Sequence, residues 1–152
     1  MKVLIDTNLL VRLDDQAHAT HAEAVAAIGV LKANGHECVL VPQVLYEYWV
    51  VATRPIQVNG LGMDIALAEQ AIDEWMALFR VLLDERGIFV RWKSLVATYQ
   101  VRGKTAHDTR LVAAMQRHGV SSLLTFNGPD FARFQAIQVY SPAEILGGRL
   151  TI

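Results

Sequence analysis

The stretch that most constrains this chain is its beginning. Lys2-Val3-Leu4-Ile5 is a short apolar run that stops on a carboxylate, Asp6, and is followed by the small polar residues Thr7 and Asn8. A run of this length reads as a buried strand rather than a helix. Asp6 then stands at the carboxyl end of a central strand, which is where open α/β sheets place their sites.

The remainder alternates short apolar runs with helical periodicity. Asn8 is placed to cap a helical turn over residues 9–13, and Asp14-Asp15 ends it. His18 to Lys32 carries an apolar stripe, and Asn34-Gly35 stops it. Cys38 to Val41 reads as a second strand, and Pro42 suits the first turn of a largely buried helix over residues 43–53. A loop over residues 56–62 leads to a long helix capped by Asp64, with a stripe continuing to Phe79 and Leu82. Ile88-Phe89-Val90 reads as a third strand and residues 93–101 as helix. A further helix runs from Thr105 to His118, with strands over residues 122–126 and 137–140 after it. Strands alternating with helices indicate an α/β fold, a three-layer α/β/α sandwich around a parallel sheet. Residues 1–146 are expected to form one domain, and residues 147–152 a loose tail.

Composition narrows the function classes. The hydrophobic fraction of 53% suits strands covered on both faces, and also allows an apolar dimer interface. A net charge of −1, from 14 basic and 15 acidic residues, argues against a protein that coats nucleic acid through a general positive surface. A local basic rim around an acidic centre remains compatible with it. The lone cysteine, Cys38, excludes an intramolecular disulfide framework and a cysteine-based zinc site. No apolar run is long enough to span a bilayer, and the start lacks a signal-peptide core, so a cytoplasmic protein with no membrane partner is expected.

Four carboxylates carry the chemical argument. Asp6 is either a turn acid or a metal ligand. Glu47 lies on an apolar helix with Gln43, Val44, Val50 and Val51 as neighbours, so no basic residue one turn away neutralises it. A buried carboxylate needs a partner; a cation, Arg54 two turns on, or protonation would each serve. Asp108 fits a Thr105-x-x-Asp108 capping box or a ligand position at a rigid helix start. Asn127 and Asp130 leave the strand that ends near Thr125, either as ordinary turn chemistry or as ligands. Two carboxylates about 4 Å apart repel by roughly 4 kcal/mol at an effective dielectric near 20. A cluster of them at one sheet edge therefore implies a cation, and oxygen-only ligands point to Mg²⁺ or Mn²⁺. The histidines are weaker leads: His18, His21 and His36 read as surface residues, and His107 adjoins Asp108 but points away around the helix.

Asp6-Thr7-Asn8, Glu47, His107-Asp108 and Thr125-x-Asn127-x-x-Asp130-Phe131, in this order, resemble the PIN-domain ribonucleases. The resemblance covers nearly the whole chain and is nearest to the VapC-like toxins of type II toxin–antitoxin pairs, with Thr53-Arg54-Pro55 as a further shared run. It implies a Mg²⁺- or Mn²⁺-dependent endonuclease of single-stranded RNA, a homodimer, and inhibition by a small antitoxin protein. It implies Asp6, Glu47, Asp108 and Asp130 as the catalytic acids, Asp6 and Asp108 holding the metal, and Thr7, Asn8, Thr125 and Asn127 supporting them. The reaction would be in-line attack of water on a phosphodiester. Arg12, Arg54, Arg102, Lys104 and Arg110 are candidates for gripping the RNA backbone. The loop carries Asn127 where many relatives have an acid, so either Asn127 or Asp130 completes the site. Two other readings keep the same fold: a PIN nuclease of RNA processing without an antitoxin, and a silent PIN module that binds RNA or protein.

Overall fold

A computed structural model describes residues 1–151. Five parallel strands form the centre: β1 (Lys2–Ile5), β2 (Glu37–Leu40), β3 (Arg80–Val81), β4 (Ser122–Leu124) and β5 (Gln138–Tyr140), in the order β3-β2-β1-β4-β5. Among the described residues seven α-helices flank them: α1 (Thr7–Asp14), α2 (His21–Ala33), α3 (Pro42–Thr53), α4 (Ile65–Leu78), α5 (Arg86–Thr98), α6 (Thr105–Arg117) and α7 (Pro142–Leu146). The parallel α/β sandwich expected from the alternation is what the chain adopts. Val3, Leu4 and Ile5 have no exposed surface, nor do Leu123 and Leu124 beside them, as a central strand covered on both faces requires.

The register fixes the site. Val3 lies opposite both Cys38 of β2 and Ser122 of β4, and Ile5 lies opposite Leu124. The strands therefore end level with one another, and Asp6, Val41 and Thr125 leave the sheet at the same edge. The strand order turns back at β1, between β2 and β4, which opens the crevice typical of a switch point in such sheets.

Several expected boundaries differ. The third strand is Arg80–Val81, paired with Val39 and Leu40, while Ile88-Phe89-Val90 lies inside α5. Phe79 and Leu82 are buried, as expected, but the chain reaches them extended, with Arg80 exposed between them. Within α5 only Ile88 is buried, and Phe89 stacks on Trp92 at 5.9 Å. Trp92 Nε1 donates to the Ala106 carbonyl at 2.8 Å and pins α5 to α6. Asp6, and not Asn8, caps α1, accepting from the Thr7 amide at 2.8 Å. Helix α2 begins at His21, three residues later than expected. Asp64 does cap α4, accepting from the Leu67 amide. Helix α3 is only half covered: Tyr48 and Ala52 are fully buried, yet Tyr46 and Val50 are 62% and 58% exposed. His36 is buried rather than superficial, and its Nε2 lies 2.6 Å from the Leu150 carbonyl. The expected loose tail, 147–152, ends at a position outside the described residues.

Candidate active site

Asp6 is the centre of a hydrogen-bonded knot that joins β1 to β4. Its Oδ1 accepts from the Thr7 amide, and its Oδ2 accepts from Thr125 Oγ1 at 2.7 Å and from Asn8 Nδ2 at 3.3 Å. Asn8 Nδ2 also donates to Thr125 Oγ1, while Asn8 Oδ1 accepts from the Phe126 amide. Thr125 Oγ1 accepts in addition from the Asn127 amide at 3.0 Å. The three side chains at the strand ends thus hold one another, and Asp6 has no rotameric freedom to spare.

Glu47 comes to the same place from α3. The Thr7 hydroxyl lies 3.1 Å from Glu47 Oε2 and 3.1 Å from the Val44 carbonyl, donating to one or the other. Gln43 Nε2 donates to Glu47 Oε1 at 3.0 Å. Arg54, the basic candidate for neutralising Glu47, instead donates to the Asn59 carbonyl at 3.0 Å. Asp108 sits in the first turn of α6, and no side-chain cap forms there; the capping box is not what places it. Asp130 lies in a 3₁₀ turn, Gly128–Phe131, that follows β4.

One cavity of about 680 Å³ is lined by Asp6, Glu47, Asp108 and Asp130, together with Thr7, Asn8 and Asn127. Burial lifts the Asp6 carboxyl from 3.8 to about 6, against the hydrogen bonds from Thr125 and Thr7, and the charges of Glu47 and Asp108 push it the same way. Asp108 is also raised, by burial first and then by Asp130 and Glu47, with His107 and Arg133 opposing. Among the described residues no ion pair includes these four acids; the Arg12–Asp15 pair, at 4.0 Å, lies on the cavity wall beside them. The four acids concentrate negative charge without an ion pair of their own, although Arg12 and Arg54 line the same cavity and Arg133 draws the Asp108 carboxyl down.

That donor set suits a hard divalent cation. Among the described residues no three His, Cys, Asp or Glu close into a ready-made metal cage.

The basic candidates divide. Arg12 and Arg54 line the cavity. Arg102 and Lys104 are exposed on the turn before α6 and do not line it. Arg110 turns the other way, with Nη2 3.1 Å from Asp84 Oδ2 and Nη1 donating to Gln43 Oε1. Sequence reasoning overlooked Asp15 and His18, which also line the cavity, and Gln43, whose signal was its place one helical turn before Glu47 on an apolar helix.

A parallel α/β sheet with a buried Asp6, half-buried Glu47 and Asp108, and an exposed Asp130 converging on its switch-point edge defines a class of proteins with their site at the strand ends. The PIN domain family model matches residues 3–137, and the chain belongs to that family. Its fold is similar to that of VapBC2 from Rickettsia felis bound to a promoter DNA fragment, at 12% identity and TM-score 0.69, covering 93% of this chain and 98% of that one. A toxin–antitoxin complex from Klebsiella pneumoniae matches at 24% identity and TM-score 0.64, with 92% and 97% covered. VapC20 from Mycobacterium tuberculosis, a sarcin-ricin loop cleaving toxin, matches at 18% identity and TM-score 0.62, with 87% and 95% covered. No curated protein matches the chain in sequence.

Proposed function

We propose that this chain is a Mg²⁺- or Mn²⁺-dependent endoribonuclease of single-stranded RNA, acting as the toxin of a toxin–antitoxin pair in the cytoplasm. The observation that carries the reading is the buried Asp6 carboxyl, locked at the sheet edge beside Glu47 and Asp108 with no basic partner. A divalent ion, when bound, would lower the pKa of a coordinated water and offset charge developing on the phosphate.

The chain's own residues do the rest. Asp6 and Asp108 would hold the ion; Thr125, Asn8 and the Thr7 amide keep the Asp6 oxygens aimed. Glu47 and Asp130 would stand beside the attacked phosphate, one of them taking up the proton of the attacking water. Asn127, on the same loop as Asp130, lines the cavity and orients the phosphate. Arg12 and Arg54 on the wall of the cavity bind neighbouring phosphates and set the strand in register. No helix among the described residues is long and apolar enough to cross a membrane. The likeness to VapBC and other toxin–antitoxin assemblies supports a small antitoxin as partner. An apolar groove between α3 and α4, lined by Tyr46, Trp49, Ile72 and Met76, supports a protein partner or a homodimer.

The test is cleavage of a mixed RNA pool with Mg²⁺ or Mn²⁺, beside EDTA and Asp6→Asn controls. The reading requires cutting by the wild type alone, and only with metal. Equal cutting in EDTA refutes the metal mechanism, and full activity of Asp6→Asn refutes the site.

A further inference from the structure

We infer that Gln43 is the positioning residue of Glu47, and that the Arg110–Asp84 ion pair locks Gln43 in place. Gln43 is buried, 6% exposed, in the first turn of α3. Its amide is committed on both sides. Oε1 accepts from Arg110 Nη1 at 3.1 Å, and Nε2 donates to Glu47 Oε1 at 3.0 Å and to the His107 carbonyl at 2.7 Å. A guanidinium only donates and a carbonyl only accepts, so turning the amide over would oppose like groups at each contact. The orientation is therefore fixed by its neighbours. Arg110 is held in turn by Asp84 at 3.1 Å.

Two consequences follow for the site. Gln43 holds one oxygen of Glu47, and the Thr7 hydroxyl, whose proton is shared with the Val44 carbonyl, lies 3.1 Å from the other, so Gln43 is the one committed donor to this carboxylate while lone pairs stay free towards the cavity. His107 immediately precedes Asp108, so the same amide that holds Glu47 on α3 also ties down the backbone beside Asp108 on α6. Gln43 thereby sets the spacing of two acids that belong to different helices. Arg110, a residue that sequence reasoning assigns to the RNA backbone, acts through Gln43 and not on substrate. Through Glu47 the amide reaches the reacting water, and through the His107 carbonyl it stands one residue from Asp108, a proposed metal carboxylate; partners of this kind typically govern about 10- to 100-fold in affinity or activity.

The inference rests on the metal-nuclease reading of the site, and the experiment separates the two. The probes are Mn²⁺ binding by calorimetry, RNA cleavage kinetics, and solvent exchange of the Gln43 side-chain amide protons by NMR in metal-free protein. Gln43→Met is expected to weaken Mn²⁺ about 10-fold or more and to lower kcat with little change in KM. Arg110→Met is expected to do the same to a lesser degree, and the double variant to be no worse than Gln43→Met alone. In metal-free wild type the Gln43 amide protons are expected to exchange slowly, and in Arg110→Met quickly. Unchanged Mn²⁺ affinity and kcat in Gln43→Met, alongside lowered thermal stability, would make Gln43 a structural residue only and overturn the inference. Additive losses, with Arg110→Met raising KM for RNA, would return Arg110 to the substrate and overturn its role. If wild type takes up no Mn²⁺, the nuclease reading fails. The exchange arm still decides the lock: equal protection with and without Arg110 overturns it.

Discussion

Replacing Asp6 by Asn should stabilise the metal-free protein at neutral pH, although it removes the central residue of the site. Folding raises the Asp6 carboxyl from 3.8 to about 6, so the folded state binds its proton more tightly than the unfolded chain does. Below about pH 4 the group is protonated in both states and costs nothing. As pH rises through 4 to 6 the unfolded chain ionises first, and above about 6 the folded protein carries a buried charge at a penalty of about 3 kcal/mol. Asn keeps the shape and the capping role. Its amide nitrogen, however, only donates and can accept from neither Thr125 Oγ1 nor Asn8 Nδ2, which in the wild type both donate to Asp6 Oδ2, a loss of about 1 kcal/mol. Asp6→Asn should therefore be less stable than wild type by about 1 kcal/mol at pH 4 and more stable by about 2 kcal/mol at pH 8. Urea unfolding in EDTA across this range measures the difference directly. A difference that stays flat with pH, or a wild type that is the more stable at pH 8, would refute the burial argument.

Adding Mg²⁺ should reverse that ranking: at one hundred times its Kd it stabilises wild type by about 2.7 kcal/mol at pH 8, but far less at pH 5, where Asp6 holds a proton. Thermal melts of wild type and Asp6→Asn with and without Mg²⁺ check this. Thr125→Val keeps the shape of a fully buried residue but removes the hydroxyl that serves Asp6, Asn8 and the Asn127 amide. It should cost about 2 kcal/mol in urea unfolding and push the Asp6 carboxyl further up, read by ¹³C NMR titration. Gly60→Ala would place a Cβ 1.8 Å from the Arg54 carbonyl oxygen, so the cavity wall must shift. A loss of about 1–3 kcal/mol and a raised KM for RNA are expected, from melts and cleavage kinetics.

That the four acids meet in one cavity could be read from their places at strand ends and helix starts, although each taken alone had a second reading. Lys2–Ile5 is too apolar and too short for anything but a covered strand, and Asp6 had to emerge at its end. Glu47 lacked a basic neighbour on its helix, and the structure supplies only neutral donors, Thr7 and Gln43. What could not be read depends on contacts distant in sequence. A two-residue edge strand with one partner, Arg80–Val81, shows no periodicity, whereas Ile88-Phe89-Val90 has strand-like side chains inside a helical spacing. Asp108 fitted a capping box that does not form, because Lys104 is already helical at the cap position. Arg110 looked like a free cation at a helix start; its partners are Asp84 and Gln43, the latter 67 positions away.

The central claim is that the four acids support attack by water, not by the RNA's own 2′-hydroxyl. Cleavage of a defined RNA in ¹⁸O-labelled water, followed by mass spectrometry of the fragments, tests it most directly. The account predicts one ¹⁸O in the new terminal phosphate, no 2′,3′-cyclic phosphate, undiminished cutting of a substrate lacking the 2′-hydroxyl at the scissile position, and no products in EDTA. A cyclic phosphate product, or unlabelled ends formed in the presence of EDTA, would contradict it.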